Sequence, residues 1–141
     1  MSAEATCFYC EKDQRLDDLM IEICQLEVST LYLFKEQTYR GRCLVAYKGH
    51  VNELFELQEK ELEAYIKDVA KAAAAMKKAF SPNKINYGAY SDKLEHLHFH
   101  LVPKYQDGPS WGSTFEMMPT PKVALSNAEY SELIEKIKRN L

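Results

Sequence analysis

Glu95-His96-Leu97-His98-Phe99-His100-Leu101-Val102-Pro103 places three of the chain's four histidines at every second position of an apolar run. In an extended strand successive side chains point to opposite faces. The three imidazoles then share one face at intervals of about 6.6 Å, while Leu97, Phe99 and Leu101 share the other. A lone histidine in such a strand reads as a hydrogen-bonded core residue. Three in alternation read differently: burial for packing alone demands a partner for every ring nitrogen, whereas a phosphate or a metal ion serves the whole row.

Upstream of the row, 85–90 reads as a strand carrying one glycine and Ser91-Asp92-Lys93 as a turn, so the histidine strand, 94–102, closes an antiparallel hairpin. Pro103 is expected to end the ladder or lie at its edge. Leu62, Tyr65, Ile66, Val69, Ala73, Met76 and Phe80 recur at helical spacing. They predict one long amphipathic helix over about 52–80, stopped by Pro82. Ala72 to Ala75 give it a small face that can lie close to a sheet. Segments 19–24, 28–34 and 42–47 read as further strands, with Gly41 in a turn and His50 in a loop beyond the third. A loop carrying Trp111 follows the hairpin, and Ser126 with Glu129 forms a capping box for a last helix to about Asn140. Strands grouped on either side of a long helix favour an α+β fold. The expectation is an antiparallel sheet of about five strands, one long central helix and a C-terminal helix, in one domain over 1–141.

A net charge of -3 argues against a protein that grips nucleic-acid backbones, which needs a basic face, and leaves free nucleotides as partners. No run approaches a membrane span, and the polar residues before Cys7 are too few for a signal peptide. The expectation is a soluble cytoplasmic protein with no membrane partner and with reduced thiols. Cys24 and Cys43 lie among apolar residues and read as buried thiols. Cys7-Phe8-Tyr9-Cys10 is half a zinc site, a redox pair or a coincidence. A redox pair opens a helix after a strand, and the charged segment that follows offers neither. A tetrahedral zinc site needs two more nitrogen or sulfur ligands, and His50 is the obvious third.

A neutral imidazole is a good nucleophile near neutral pH and, once phosphorylated, a good leaving group, so it can split a displacement at phosphorus into two easier steps. The attacking nitrogen must be unprotonated, which a fixed acceptor on the ring's other N–H arranges. The central ring, His98, is best placed to attack, with its neighbours holding phosphate oxygens.

His-Leu-His-Phe-His-Leu-Val (His96 to Val102) resembles the signature of the histidine triad (HIT) family of nucleotide hydrolases and transferases. The N-terminal Cys-x-x-Cys, the Gly41 turn, His50 before the helix, Asn86-x-Gly88 before the row and the Trp111 tail extend the likeness over roughly 7–115. The resemblance implies that His98 attacks the α-phosphate and forms a nucleotidyl-histidine, that His96 and His100 orient it and contact phosphate, and that Asn86 lies near the nucleotide or helps fix the triad. It also implies a homodimer. Many members carry Gly-Gln-Ser or Gly-Gln-Thr before the triad. Here Tyr90-Ser-Asp-Lys-Leu-Glu95 lacks the glutamine, and Ser91 and Lys93 are either substitute phosphate donors or surface turn residues. By likeness to zinc-containing triad proteins and galactose-1-phosphate uridylyltransferases, His96 is the fourth ligand of a structural zinc with Cys7, Cys10 and His50.

Two other functions remain open from the sequence. A metallohydrolase would place a catalytic zinc on the row, but it needs an open coordination position and a carboxylate base, and Glu95 points to the opposite face. A non-catalytic nucleotide-binding or scaffold protein would keep the pocket without turnover. Arg40 and Arg42 flank Gly41 within reach of phosphate, yet the expectation is of exposed turn arginines. Trp111 closes the pocket, closes a dimer, or covers the sheet.

Overall fold

Apolar residues at strand period supply five strands: Met20–Gln25 (β1), Ser29–Phe34 (β2), Cys43–Tyr47 (β3), Lys84–Gly88 (β4) and His98–Lys104 (β5). The computed structural model describes residues 6–141. All four strand pairings are antiparallel, in the order β1-β2-β3-β5-β4. Two short helices, Phe8–Glu11 (α1) and Gln14–Leu19 (α2), precede the sheet; Glu59–Phe80 (α3) crosses between β3 and β4, and Asn127–Arg139 (α4) ends the chain. None of the described helices is long and apolar enough to cross a membrane.

The strand alternation sorts side chains onto two faces. Leu31, Leu33, Val45 and Leu101 pack against Tyr65, Val69, Ala72 and Met76 of α3 and against Tyr130, Leu133 and Ile137 of α4. Fully buried Ala72 is what lets α3 lie close to the sheet. On the other face Met20, Tyr32, Phe34, Leu44 and Ala46 are covered by Cys7, Tyr9 and Leu16 from the N-terminal segment. β2 is therefore buried along its whole length, the mark of a strand covered on both sides. Register places Ala46 opposite His98 and Leu44 opposite His100, so those two histidines share the face covered by the N-terminal segment.

Four expectations are corrected. The long helix begins at Glu59, because the Val51 carbonyl accepts from the Leu97 backbone N–H (2.8 Å) and holds the preceding segment against the histidine strand; a single 3-10 turn, Leu54–Glu56, fills part of the gap. β4 and β5 are neighbours, but residues 89–97 form a long connection instead of a three-residue turn, and β5 starts at His98. His96 therefore precedes the strand. Pro103 sits inside β5, opposite Ile85, beyond the last β3 partner at Leu101, where its missing N–H breaks no β3 ladder bond. The Cys-x-x-Cys pair does open a helix, the single turn α1 with Cys7 as its N-cap, and the charged segment after it, read as a loop, forms α2.

Candidate functional site

The row splits because each ring is held by a different partner. His98 Nδ1 lies 2.6 Å from the His96 carbonyl oxygen, which can only accept, so the ring's proton is on Nδ1 and the Nε2 lone pair is left free. Ser91 Oγ donates to the same carbonyl (3.2 Å) and lies 3.3 Å from His98 Nδ1. Tyr9 covers both rings, its centroid 5.0 Å from His96 and 5.1 Å from His98. Burial pushes His98 below the ordinary imidazole range, opposed by its bond to the His96 carbonyl. His98 thus presents an unprotonated nitrogen, the form that can attack an electrophile.

Arg42 is a correction. Expected in an exposed turn, it is fully buried beside His100. One Nη nitrogen lies 3.1 Å from His100 Nδ1, the other donates to the Glu116 carbonyl (3.3 Å), and its Cζ stands 4.4 Å from the Phe34 ring centroid and 5.2 Å from that of Phe115. Its Nε has no hydrogen-bond partner and, among the described residues, no carboxylate pairs with the guanidinium at ion-pair distance; Glu36 acts on it only through a longer-range attraction. Burial lowers Arg42 to about 10. Burial, and then the Arg42 charge, push His100 down to about 3.

His98 and His100 line a cavity of about 430 Å³ whose wall is otherwise mostly apolar, including Phe8, Leu19, Met20, Phe34, Leu44 and Met118. Ser91 and Lys93 stand on its rim. Asn86 does not: register puts it on the same sheet face, opposite Val102, but it lines a separate cleft with Lys84, Lys104, Trp111 and Ser113. Trp111 accordingly borders that cleft, half-exposed, and Arg40 is exposed. The residues that sequence reasoning missed are Arg42, Phe115 and Tyr9.

Cys7, Cys10, His50 and His96 converge, with one donor atom from each lying within 4.8 Å of all the others. His96 Nδ1 is 3.2 Å from Cys7 Sγ, 3.6 Å from Cys10 Sγ and 3.3 Å from His50 Nδ1, and Cys10 Sγ is 3.4 Å from His50 Nδ1. Tetrahedral bonds of about 2.3 Å to sulfur and about 2.05 Å to nitrogen separate S from N by about 3.6 Å and N from N by about 3.3 Å. The four side chains fit such an ion. His96 Nε2 donates to the Tyr47 carbonyl (2.7 Å), which leaves Nδ1 as the lone-pair nitrogen facing the sulfurs. His98 and His100 belong to no such donor cluster among the described residues. Of the other thiols Cys43 is buried, as expected, and Cys24 only partly.

The HIT domain family model matches residues 22–107, and the chain belongs to the HIT family. A histidine triad protein from Sinorhizobium meliloti 1021 superposes with a TM-score of 0.84 at 23% identity, covering 92% of this chain and 95% of its own. A histidine triad family protein from Mycobacterium smegmatis, described as Zn-bound, superposes with a TM-score of 0.69 at 17% identity, covering 96% of each chain. Among curated relatives, the adenosine 5'-monophosphoramidase hnt1 of Schizosaccharomyces pombe is 25% identical over 142 residues, covering 94% of this chain and 99% of the relative.

His100 yields a pH prediction. Its folded value of about 3 lies below the ordinary imidazole value, so between the two the unfolded chain binds more protons. Stability therefore rises with pH across that window and is lost as pH falls from about 6.5 toward 3. His100→Phe removes this contribution, and its melting temperature is expected to fall less between pH 7 and pH 4 than that of the wild type. An unchanged slope would contradict the assignment.

Proposed function

We propose that the protein cleaves nucleotides at the α-phosphate through a covalent nucleotidyl-histidine on His98. The observation that carries this reading is the His98 Nδ1–H bond to the His96 carbonyl, which leaves Nε2 as a lone pair on a ring that lines the cavity. The apolar wall suits a nucleobase, and the volume falls within the range of about 300–1,000 Å³ usual for small-molecule sites. His98 Nε2 attacks phosphorus, the Pα bond to the leaving group breaks, and water then releases the mononucleotide from His98. His100 and the rim donor Lys93 hold phosphate oxygens, whereas the Ser91 hydroxyl is spent on the His96 carbonyl. The S. pombe relative's name as a monophosphoramidase supports cleavage at an α-phosphate.

Cys7, Cys10, His50 and His96 hold a structural zinc in this reading. The donor spacing supports it, and so does the Zn-bound description of the M. smegmatis neighbour. The ion would contribute folding stability and, with four protein ligands, offer no open position for water. The protein acts as a cytoplasmic homodimer, with β4 as the pairing edge; its exposed Tyr87 lies beside Ala70, Ala73 and Ala74 of α3.

His98→Ala is expected to lower turnover of nucleoside phosphoanhydrides and phosphoramidates by at least about 1,000-fold while mononucleotide affinity, measured by calorimetry, changes less than about 3-fold. Wild-type protein that binds mononucleotide and turns over no member of either class overturns the enzymatic reading in favour of non-catalytic nucleotide binding. Elemental analysis is expected to give one zinc per chain, and Cys7→Ser to lose it together with several degrees of melting temperature. Metal-free wild-type protein with the melting temperature of the loaded form would refute the structural zinc.

A further inference from the structure

A guanidinium has five donors and no acceptor. The 3.1 Å contact between Arg42 Nη and His100 Nδ1 therefore makes Nδ1 the acceptor and leaves the single proton of His100 on Nε2. His98 has the reverse arrangement. Two rings whose centroids are 5.2 Å apart thus offer the cavity a lone pair from one and an N–H from the other. A second proton on His100 would have to sit on Nδ1, against a buried cation that no described carboxylate pairs at ion-pair distance and that Glu36 offsets only from further away. Burial and the Arg42 charge accordingly hold the ring neutral across the physiological range. A neutral imidazole N–H stabilises developing negative charge but does not surrender its proton near neutral pH.

We propose that Arg42 is a positioning residue that locks His100 as a neutral Nε2–H donor, so that the site favours leaving groups that depart as stable anions, such as the phosphate of a nucleoside phosphoanhydride, over the amines of nucleoside phosphoramidates. The proposal rests on the α-phosphate chemistry of His98. In the anhydride the His98 Nε2–P bond forms, the bridging P–O bond breaks, and its electron pair leaves on a phosphate oxygen, with no proton required. Water then attacks phosphorus, the N–P pair returns to Nε2, and the water proton passes to solvent. In a phosphoramidate the P–N pair must leave on a nitrogen that has first gained a proton. His98 presents a lone pair, His100 keeps its proton, and the Ser91 hydroxyl is committed to the His96 carbonyl. Of the other side chains on the cavity wall that carry a proton, Tyr9, Tyr90 and Lys93, none hydrogen-bonds to His98 or His100 among the described contacts, and Lys93 is assigned to the phosphate oxygens.

The test compares wild type, Arg42→Met and Arg42→Lys on an adenosine dinucleoside polyphosphate and an adenosine 5'-phosphoramidate, with ¹⁵N spectra of the His100 ring in ligand-free wild type. The expected kcat/KM of the wild type is at least about 100-fold higher on the anhydride, and the ring reports Nε2–H. Arg42→Met is expected to lower kcat on the anhydride by about 10- to 100-fold with little change in KM and to narrow the ratio between substrates, and Arg42→Lys to recover part of it. Equal or faster turnover of the phosphoramidate, or a proton on His100 Nδ1, overturns the proposal; both are read on wild type and do not depend on the variants folding. Turnover of neither compound overturns the selectivity together with the His98 reaction, whereas phosphoramidate preference overturns the selectivity alone.

Discussion

The site depends on one residue, His96, used at three atoms, two of its ring and one of its backbone. Its Nδ1 faces two thiols and a second imidazole, its Nε2 donates to the Tyr47 carbonyl, and its own carbonyl accepts the proton that fixes His98. A metal-facing histidine held at its other nitrogen by a backbone carbonyl is oriented within narrow limits. Here that orientation is passed through the backbone to the next ring of the row. The same demand explains why β5 starts late: a residue that must reach the Cys7–Cys10 turn cannot also stay in register with β3, whose pairing ends at His98. The N-terminal segment, built of the short helices α1 and α2, is thus tied to the histidine face at Cys7 and Cys10, with Tyr9 laid across His96 and His98.

Arg42 supplies the complementary constraint from the other end of the row. A buried cation without an ion-pair partner costs several kcal/mol in isolation, and Glu36 relieves Arg42 only from a distance. Phe34 and Phe115 offset part of that cost through their ring faces, and His100 accepts one hydrogen bond. The remaining imbalance is a positive field beneath a cavity that would receive a phosphate, which is where such a field contributes most. The His96 carbonyl and the Arg42 guanidinium thus set neighbouring imidazoles in opposite tautomers.

The sheet, the long helix and the capped last helix were legible because each rests on local periodicity or a cap: Leu62 to Phe80 for α3, and Ser126 with Glu129 for α4. The pairing of Cys7 and Cys10 with His50 was legible because few other ligands exist, and His96 joined it through family likeness. The misreadings share a physical origin in long-range contacts. The late start of α3 depends on the Leu97 bond to Val51, which no window around the helix contains. Arg42 was misplaced because a charged residue beside a turn glycine is ordinarily exposed; its Glu116 and Met117 partners lie 74 and 75 residues further along the chain. Asn86 occupies the expected strand but lines a cleft apart from the histidines, while Phe115, whose ring packs close over Gly88, stands 6.2 Å from His100.

The most direct test of the covalent account is rapid quenching of wild-type protein during turnover of a nucleoside phosphoanhydride labelled at the α-phosphate, followed by peptide mapping. The account predicts an acid-labile label on His98 that forms at least as fast as product and disappears as substrate is exhausted. Product formed at full rate with no label on the protein, or with label on a residue other than His98, would contradict it.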